Sequence, residues 1–133
     1  GERGPVFLDA ECAWYGDPAF DLAFVLNHML LKCIWRPRWT ARYLECFDAL
    51  SEVYSRSVDW EPRAGMEMRT AHLLPGLLLG RVDGKSPVEY VTTEAERGMI
   101  RGVARALLLR PVSTLGAVRK AWAAACRARQ PGQ

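Results

Sequence analysis

Residues 17–35, DPAFDLAFVLNHMLLKCIW, decide the fold of this chain. Asp17 has a short acidic side chain that can cap the free N–H groups of a helix, and Pro18 suits the first helical position, where no N–H is needed. The apolar residues that follow lie on nearly every side of the predicted helix, which we expect to end near Trp35. A helix with so little polar surface belongs at the buried centre of a body larger than this chain alone can build.

Helices joined by short turns are predicted for most of the remaining chain. Caps, prolines and apolar spacing place them at residues 37 to about 57, 64–79, from Thr92 or Thr93 to 109, and from Ser113 or Thr114 to about 127. Pro75 should kink or divide the helix over 64–79, because proline donates no backbone hydrogen bond. Residues 81–90, RVDGKSPVEY, are predicted to be a loop from their Asp-Gly and Ser-Pro pairs. One short strand or hairpin is expected at Pro5–Asp9, so the fold class is mainly α.

Composition indicates one folded domain. The chain has 133 residues, of which 50% are hydrophobic and 25% are charged. Its net charge of +3 is too small to imply a nucleic-acid partner, although no Asp or Glu follows Glu96. The most apolar stretch, residues 19–35, is interrupted by Asp, Asn, His and Lys, which argues against a membrane span. We therefore expect no nucleic acid and no membrane among the partners.

The four cysteines favour reduced thiols rather than a metal site or a disulfide scaffold. They stand at positions 12, 33, 46 and 126 and form no Cys-x-x-Cys pair. The N-terminus opens with a polar turn and shows no signal-peptide pattern. These features predict mostly buried, reduced thiols in a cytoplasmic protein.

Two carboxylates stand two residues apart at the end of the predicted strand. Asp9 and Glu11 follow the apolar run Val6-Phe7-Leu8. An extended backbone points both side chains the same way, and Mg²⁺ commonly takes one or two carboxylates together with phosphate oxygens. The pair is therefore a candidate magnesium site. Two solvated acids at a strand end are the alternative.

The string LDAECAWYGDPAFDLA, residues 8–23, resembles the metal-binding segment of the aminoglycoside phosphotransferase and choline-kinase-like family. The shared features are an apolar strand, an Asp with a nearby acid, Gly-Asp-Pro, and Asp-Leu-Ala. The Asp-x-Glu form is also similar to methylthioribose kinases, and RVDGKSPVEY resembles a segment near the C-terminus of bacterial members. These are small-molecule kinases, so the resemblance implies the helical C-lobe portion of a protein-kinase-like fold.

The same resemblance implies ATP- and Mg²⁺-dependent phosphorylation of a small-molecule hydroxyl, on an aminoglycoside- or choline-type acceptor. Asp9 would bind the Mg²⁺ that bridges the ATP phosphates, and Glu11 would be a second metal ligand. Asp21 would accept backbone N–H groups of the catalytic loop and, with Asp17, support the site; a local cap on its own helix is the alternative for Asp21. Packing or a surface turn is the alternative for the candidate substrate-side residues, which are Trp14, Tyr15, Asp83 and Lys85.

One departure from the family pattern limits what this chain can do. The family's catalytic loop, His-Gly-Asp followed by Asn, precedes the metal-binding segment, and the eight residues before Asp9 contain no such loop. We therefore expect residues 1–133 to be a single incomplete domain, with its catalytic residues upstream of Gly1 and no activity by itself. It would associate with the missing kinase portion or form a homodimer. The competing hypothesis is a non-catalytic helical interaction module or a degenerate kinase relic.

Overall fold

The computed structural model describes residue 4 and residues 15–129. Residues 15–129 form five α-helices: α1 (Pro18–Trp35), α2 (Thr40–Ser57), α3 (Arg63–Asp83), α4 (Glu94–Leu109) and α5 (Leu115–Arg129). A single 3-10 turn, Pro37–Trp39, joins α1 to α2. No strand occurs within the described part, so the chain is mainly α, as predicted. The strand expected at Pro5–Asp9 lies outside the described residues.

The predicted start and end of α1 are confirmed. The Asp17 carboxylate accepts a hydrogen bond of 2.9 Å from the Ala19 backbone N–H, and Pro18 occupies the first helical position. At the other end, the Arg36 backbone N–H bonds to the Lys32 carbonyl and closes the last turn. Local capping chemistry therefore sets both bounds of this helix.

Contacts between helix ends give the directions of the helices. Arg69, near the start of α3, pairs with Asp17 at the start of α1, and Tyr90, beyond the end of α3, lies 5.4 Å by ring centroids from Trp35 at the end of α1. Helices α1 and α3 therefore run in the same direction. The Leu115 N–H at the start of α5 bonds to Glu67 near the start of α3, so α5 follows that direction too. Helix α2 turns back after α1, and α4 turns back after α3.

The core is formed by all five helices. Helix α1 packs mainly against α2 and α3, while α4 packs on α3, and α5 closes the other side. Trp122 from α5 is the largest fully buried side chain. The other large, fully enclosed apolar side chains are Leu26, Leu30, Leu31, Phe47, Leu74, Leu78, Ile100 and Val118. Removal of one such leucine side chain would cost about 2–5 kcal/mol.

Helix α1 is not covered on every side within residues 15–129, in line with the expectation that this chain alone cannot surround it. Phe20, Phe24 and Val25 remain 43%, 38% and 43% exposed, and Asp21 is exposed beside them. We call these four residues the open face of α1. Helices α2 and α3, with a smaller contribution from α5, cover the opposite side of α1 but leave this strip uncovered. The described helices thus leave part of the apolar surface of α1 exposed.

Helix α3 is longer than predicted and is not divided. It continues through Pro75 to Asp83, so the predicted loop over 81–90 begins only after Asp83. Pro75 is almost completely buried, and the surrounding packing stabilises the helix although one backbone hydrogen bond is missing. Helix α4, in contrast, begins where predicted: Thr93 caps it, and Glu96 completes a capping box.

Two of the three cysteines in the described residues are buried. Cys33 and Cys126 are buried as predicted, but Cys46 is exposed on α2, and Cys12 lies outside the described residues. None of the helices in the described part is both long and apolar enough to span a bilayer.

Candidate functional site

An arginine locks the start of α1 to the neighbouring elements. Arg69 on α3 donates to both Asp17 oxygens at 2.8 and 3.2 Å, and to both Glu61 oxygens at 2.7 and 2.8 Å. The hydrogen bonds from Arg69 are the main reason that the pKa values of both carboxyl groups lie below their ordinary values. In the predicted Gly-Asp-Pro motif, Asp17 is thus a cap and an anchor, and its carboxylate is fully engaged.

Asp21 differs from Asp17 although both lie at the start of α1. Its side chain is exposed, and within residues 15–129 it makes no hydrogen bond or ion pair. Because Asp17 caps the helix, the alternative that Asp21 is a local cap of α1 is wrong. The two carboxylates share a small surface hollow of about 90 Å³ with Gly16, Pro18 and Phe20. Asp21 is therefore available to accept hydrogen bonds from a further group.

Aromatic rings continue the open face along α1. The rings of Phe20 and Phe24 stack with centroids 6.0 Å apart, and Phe24 meets His28 edge-on at 5.1 Å. Burial, followed by the positive charges of Arg81 and Lys32, lowers the pKa of His28 below its ordinary value. A neutral imidazole continues the apolar character of this strip. The open face is therefore an apolar surface that carries, near its end, one carboxylate without a partner in residues 15–129.

A groove of about 340 Å³ lies between α1, α2, α3 and α5. Leu22, Phe47 and Met66 contribute apolar lining, and Asp48, Glu52 and Glu67 contribute carboxylates. Each carboxylate already has a partner. Glu67 accepts from the Leu115 N–H, and Asp48 and Glu52 pair with Arg119 and Arg56. The groove therefore offers little uncompensated charge to a ligand.

The candidate substrate-side residues do not converge on one place. Tyr15 is fully exposed just before α1, whereas Asp83 ends α3 and Lys85 follows in the exposed loop. Arg101 on α4 holds Asp83 with hydrogen bonds of 2.6 to 3.1 Å, which lower the pKa of this carboxyl group. Asp83 lies 14 helical residues beyond Arg69, or roughly 21 Å along α3. The two groups of residues are thus at opposite ends of the parallel helices.

The two predicted metal ligands are not among the residues that the structure describes. Asp9, Glu11 and Trp14 fall outside the described residues. Residues 15–129 contain no group of three or more His, Cys, Asp or Glu side chains that could hold a metal ion. Asp17 is also a poor Mg²⁺ ligand, since its carboxylate is already paired with Arg69. The described residues therefore bring together no group of three protein ligands for a metal ion.

Sequence reasoning missed a cluster of cations and tryptophans at the turn between α1 and α2. Lys32 and Arg36 lie 5.2 and 4.3 Å from the centre of the Trp35 ring, and Arg38 and Arg42 lie 5.2 and 4.7 Å from that of Trp39. These are cation–π distances. The signal was present in the pattern WRPRWTAR, residues 35–42, in which three arginines lie close to two tryptophans.

Comparison with known proteins leaves the family assignment open. No protein-family model matches this chain, and neither a curated protein nor a solved structure matches it.

Proposed function

We propose that this chain is the C-terminal part of an ATP- and Mg²⁺-dependent phosphotransferase that acts on a hydroxyl group of a small molecule. The observation that carries the proposal is that the residues of Gly-Asp-Pro-x-x-Asp-Leu-Ala have different surroundings in the structure. Asp17 is engaged as cap and anchor, Leu22 and Ala23 are buried, and Asp21 is exposed without a partner in the described part. The resemblance expects this distribution, because it gives Asp21 a partner outside the helical body.

The surroundings of Asp21 support the same proposal. A carboxylate that accepts backbone N–H groups of a loop needs that loop to pack beside it. The apolar side chains Phe20, Phe24 and Val25 lie next to Asp21 and are about two-fifths exposed. An apolar surface with a free carboxylate suits a segment that buries its side chains there and presents its N–H groups to Asp21. The catalytic-loop portion of the kinase is that segment in the proposal.

The proposal places the metal on the acidic pair that precedes α1. Asp9 and Glu11 would hold Mg²⁺, which would neutralise charge on the ATP phosphates when bound. Asp21 would be a positioning residue, since it would hold the catalytic loop and touch neither the metal nor the acceptor. The Arg69 anchor would keep the start of α1 fixed beneath that loop. The acceptor would be a small molecule with a free hydroxyl, of aminoglycoside or choline type.

The test uses the complete protein, with the coding sequence upstream of Gly1 included. We expect that sequence to encode, in frame, His-Gly-Asp with Asn five residues later. ATP consumption with a panel of aminoglycosides, choline and sugars should then reveal turnover. Asp21→Asn should lower kcat about 10- to 100-fold, as loss of a positioning partner does, and leave the KM for Mg²⁺ nearly unchanged. Asp9→Ala should abolish turnover and weaken Mg²⁺ binding while the far-ultraviolet circular dichroism stays the same.

Asp59→Ala is the matched control. Asp59 is an exposed acid in the turn before α3, and it makes no ion pair within the described residues, so its removal should leave kcat unchanged. Full activity of Asp9→Ala, or an unrelated upstream sequence, would overturn the phosphotransferase proposal. The non-catalytic helical interaction module would then be the better account of the open face.

A further inference from the structure

Two buried cysteines from distant parts of the chain line one cavity. Cys33 lies near the end of α1 and Cys126 near the end of α5, and they are only 2% and 7% exposed. Both face a cavity of about 190 Å³ that Ile34, Pro37, Thr40 and Arg129 complete. One water molecule takes about 30 Å³ in the liquid, so this cavity has room for a small polar molecule beside the two sulfur atoms.

The two thiols interact with each other and have different proton affinities. The Cys33 S–H lies 3.4 Å from the Met29 carbonyl oxygen of its own helix. The hydrogen bond from Cys33, helped by the charges of Arg129 and Arg127 and opposed by burial, lowers the pKa of Cys126. The same hydrogen bond, together with burial, raises the pKa of Cys33. Cys126 is thus the better nucleophile, and Cys33 holds its proton.

A third polar group, the indole N–H of Trp122, is buried on the helix that carries Cys126. Trp122 is completely buried on α5, and its indole N–H has no hydrogen-bond partner among the described residues. Donation from this N–H acts to lower the pKa of the Cys33 thiol, against the larger effects of Cys126 and burial. A buried donor without a hydrogen-bond partner is unfavourable in a folded protein. Next to a sulfur atom it can stabilise negative charge that develops there.

We propose that Cys33 and Cys126 form a dithiol modification site that a hydroperoxide oxidises to an intramolecular disulfide. The proposal is independent of the phosphotransferase hypothesis, since neither cysteine belongs to the open face or to the acidic pair. The exposed Cys46 lacks a facing thiol within the described part and is not included.

The oxidation has two steps. The Cys126 thiolate attacks one peroxide oxygen and breaks the O–O bond, which gives a sulfenic acid and, from hydrogen peroxide, a hydroxide that leaves as water. The Cys33 sulfur then attacks the Cys126 sulfur and breaks its S–O bond, and the hydroxyl group leaves as water with the proton from Cys33. Two thiols lose two electrons and two protons, and the peroxide is reduced to two molecules of water.

The experiment uses the full chain with the substitution Cys12→Ser, which retains Cys33, Cys46 and Cys126. The reduced protein is treated with hydrogen peroxide, free thiols are alkylated under denaturing conditions, and disulfide-linked peptides are identified by mass spectrometry. We expect a Cys33–Cys126 link, the loss of two hydrogen atoms from the intact mass, and one remaining alkylated thiol at Cys46. Cys33→Ser should remove the link and leave a sulfenic acid at Cys126 that dimedone traps.

The unfolded chain gives the matched control. Cys33 is much closer in sequence to Cys46 than to Cys126, so loop closure in urea should favour the Cys33–Cys46 link by about 20-fold. The native fold should reverse this preference. A native protein that retains both thiols after peroxide treatment would overturn the proposal, and so would one that links Cys33 to Cys46 as readily as the unfolded chain does.

Discussion

Replacement of Asn27 by leucine should stabilise the protein. Asn27 lies in the middle of α1 and is completely buried, yet neither its amide oxygen nor its amide nitrogen has a hydrogen-bond partner among the described residues. A buried amide that loses its water without a replacement partner costs about 1–3 kcal/mol. Leucine has a similar shape and no polar atom. Asn27→Leu should therefore raise the free energy of unfolding by about 1–3 kcal/mol.

Urea unfolding followed by circular dichroism measures this change directly, and thermal unfolding supports it. For a chain of this size, each kcal/mol corresponds to about 4 °C in Tm, so we expect a rise of about 4–12 °C. Thr70→Val is the matched control. Thr70 is equally buried on α3, but its hydroxyl donates a 2.9 Å hydrogen bond to the Met66 carbonyl. Its replacement by an apolar residue of similar shape should therefore bring no comparable gain.

Two results would refute the reasoning about Asn27. A fall of 1 kcal/mol or more in Asn27→Leu would contradict the expected gain, and an enclosed water molecule that satisfies the amide is one cause of such a fall. Overpacking by the slightly larger leucine could also lower stability, so Asn27→Ala separates the two causes. The alanine variant removes the buried amide group and adds no side-chain volume. If it loses more stability than a small cavity explains, the amide has a partner.

The ion pairs and caps give two further predictions. Arg69→Ala should reduce the acid sensitivity of the start of α1. The pKa values of Asp17 and Glu61 are lowered in the folded state, mainly by Arg69. Their contribution to stability is therefore fully present at neutral pH and is lost as the pH falls below about 4.5, the ordinary value for Glu. Urea titrations at pH 7 and pH 3 should show a smaller difference for the variant than for the parent, and an equal difference would contradict this account. Thr93→Ala should lower the free energy of unfolding by about 1 kcal/mol, because the capping box is lost. Thr92→Ala should not, because the hydroxyl of Thr92 makes no hydrogen bond in the described part. Equal losses would argue against a specific cap.

Local signals in the sequence determined where α1 and α4 begin. Asp17 with Pro18, and Thr93 with Glu96, satisfy the first free N–H groups of α1 and α4, and such chemistry acts within a few residues. The same kind of rule gave the wrong result at Pro75. Proline weakens an isolated helix, but here its neighbours bury it, and packing outweighs one lost hydrogen bond.

The tertiary structure alone decided which apolar and charged side chains would meet. The apolar composition of α1 was plain in the sequence, yet the exposure of Phe20 and Phe24 depends on where α2, α3 and α5 pack. Arg69 reaches Asp17 across 52 residues of sequence, and Cys33 and Cys126 line one cavity although most of the chain separates them. No periodicity encodes such pairs, because they arise from the relative positions of whole helices. Capping and hydrophobic spacing are short-range effects that a sequence displays, whereas the open face, the arginine anchor and the dithiol are consequences of long-range packing.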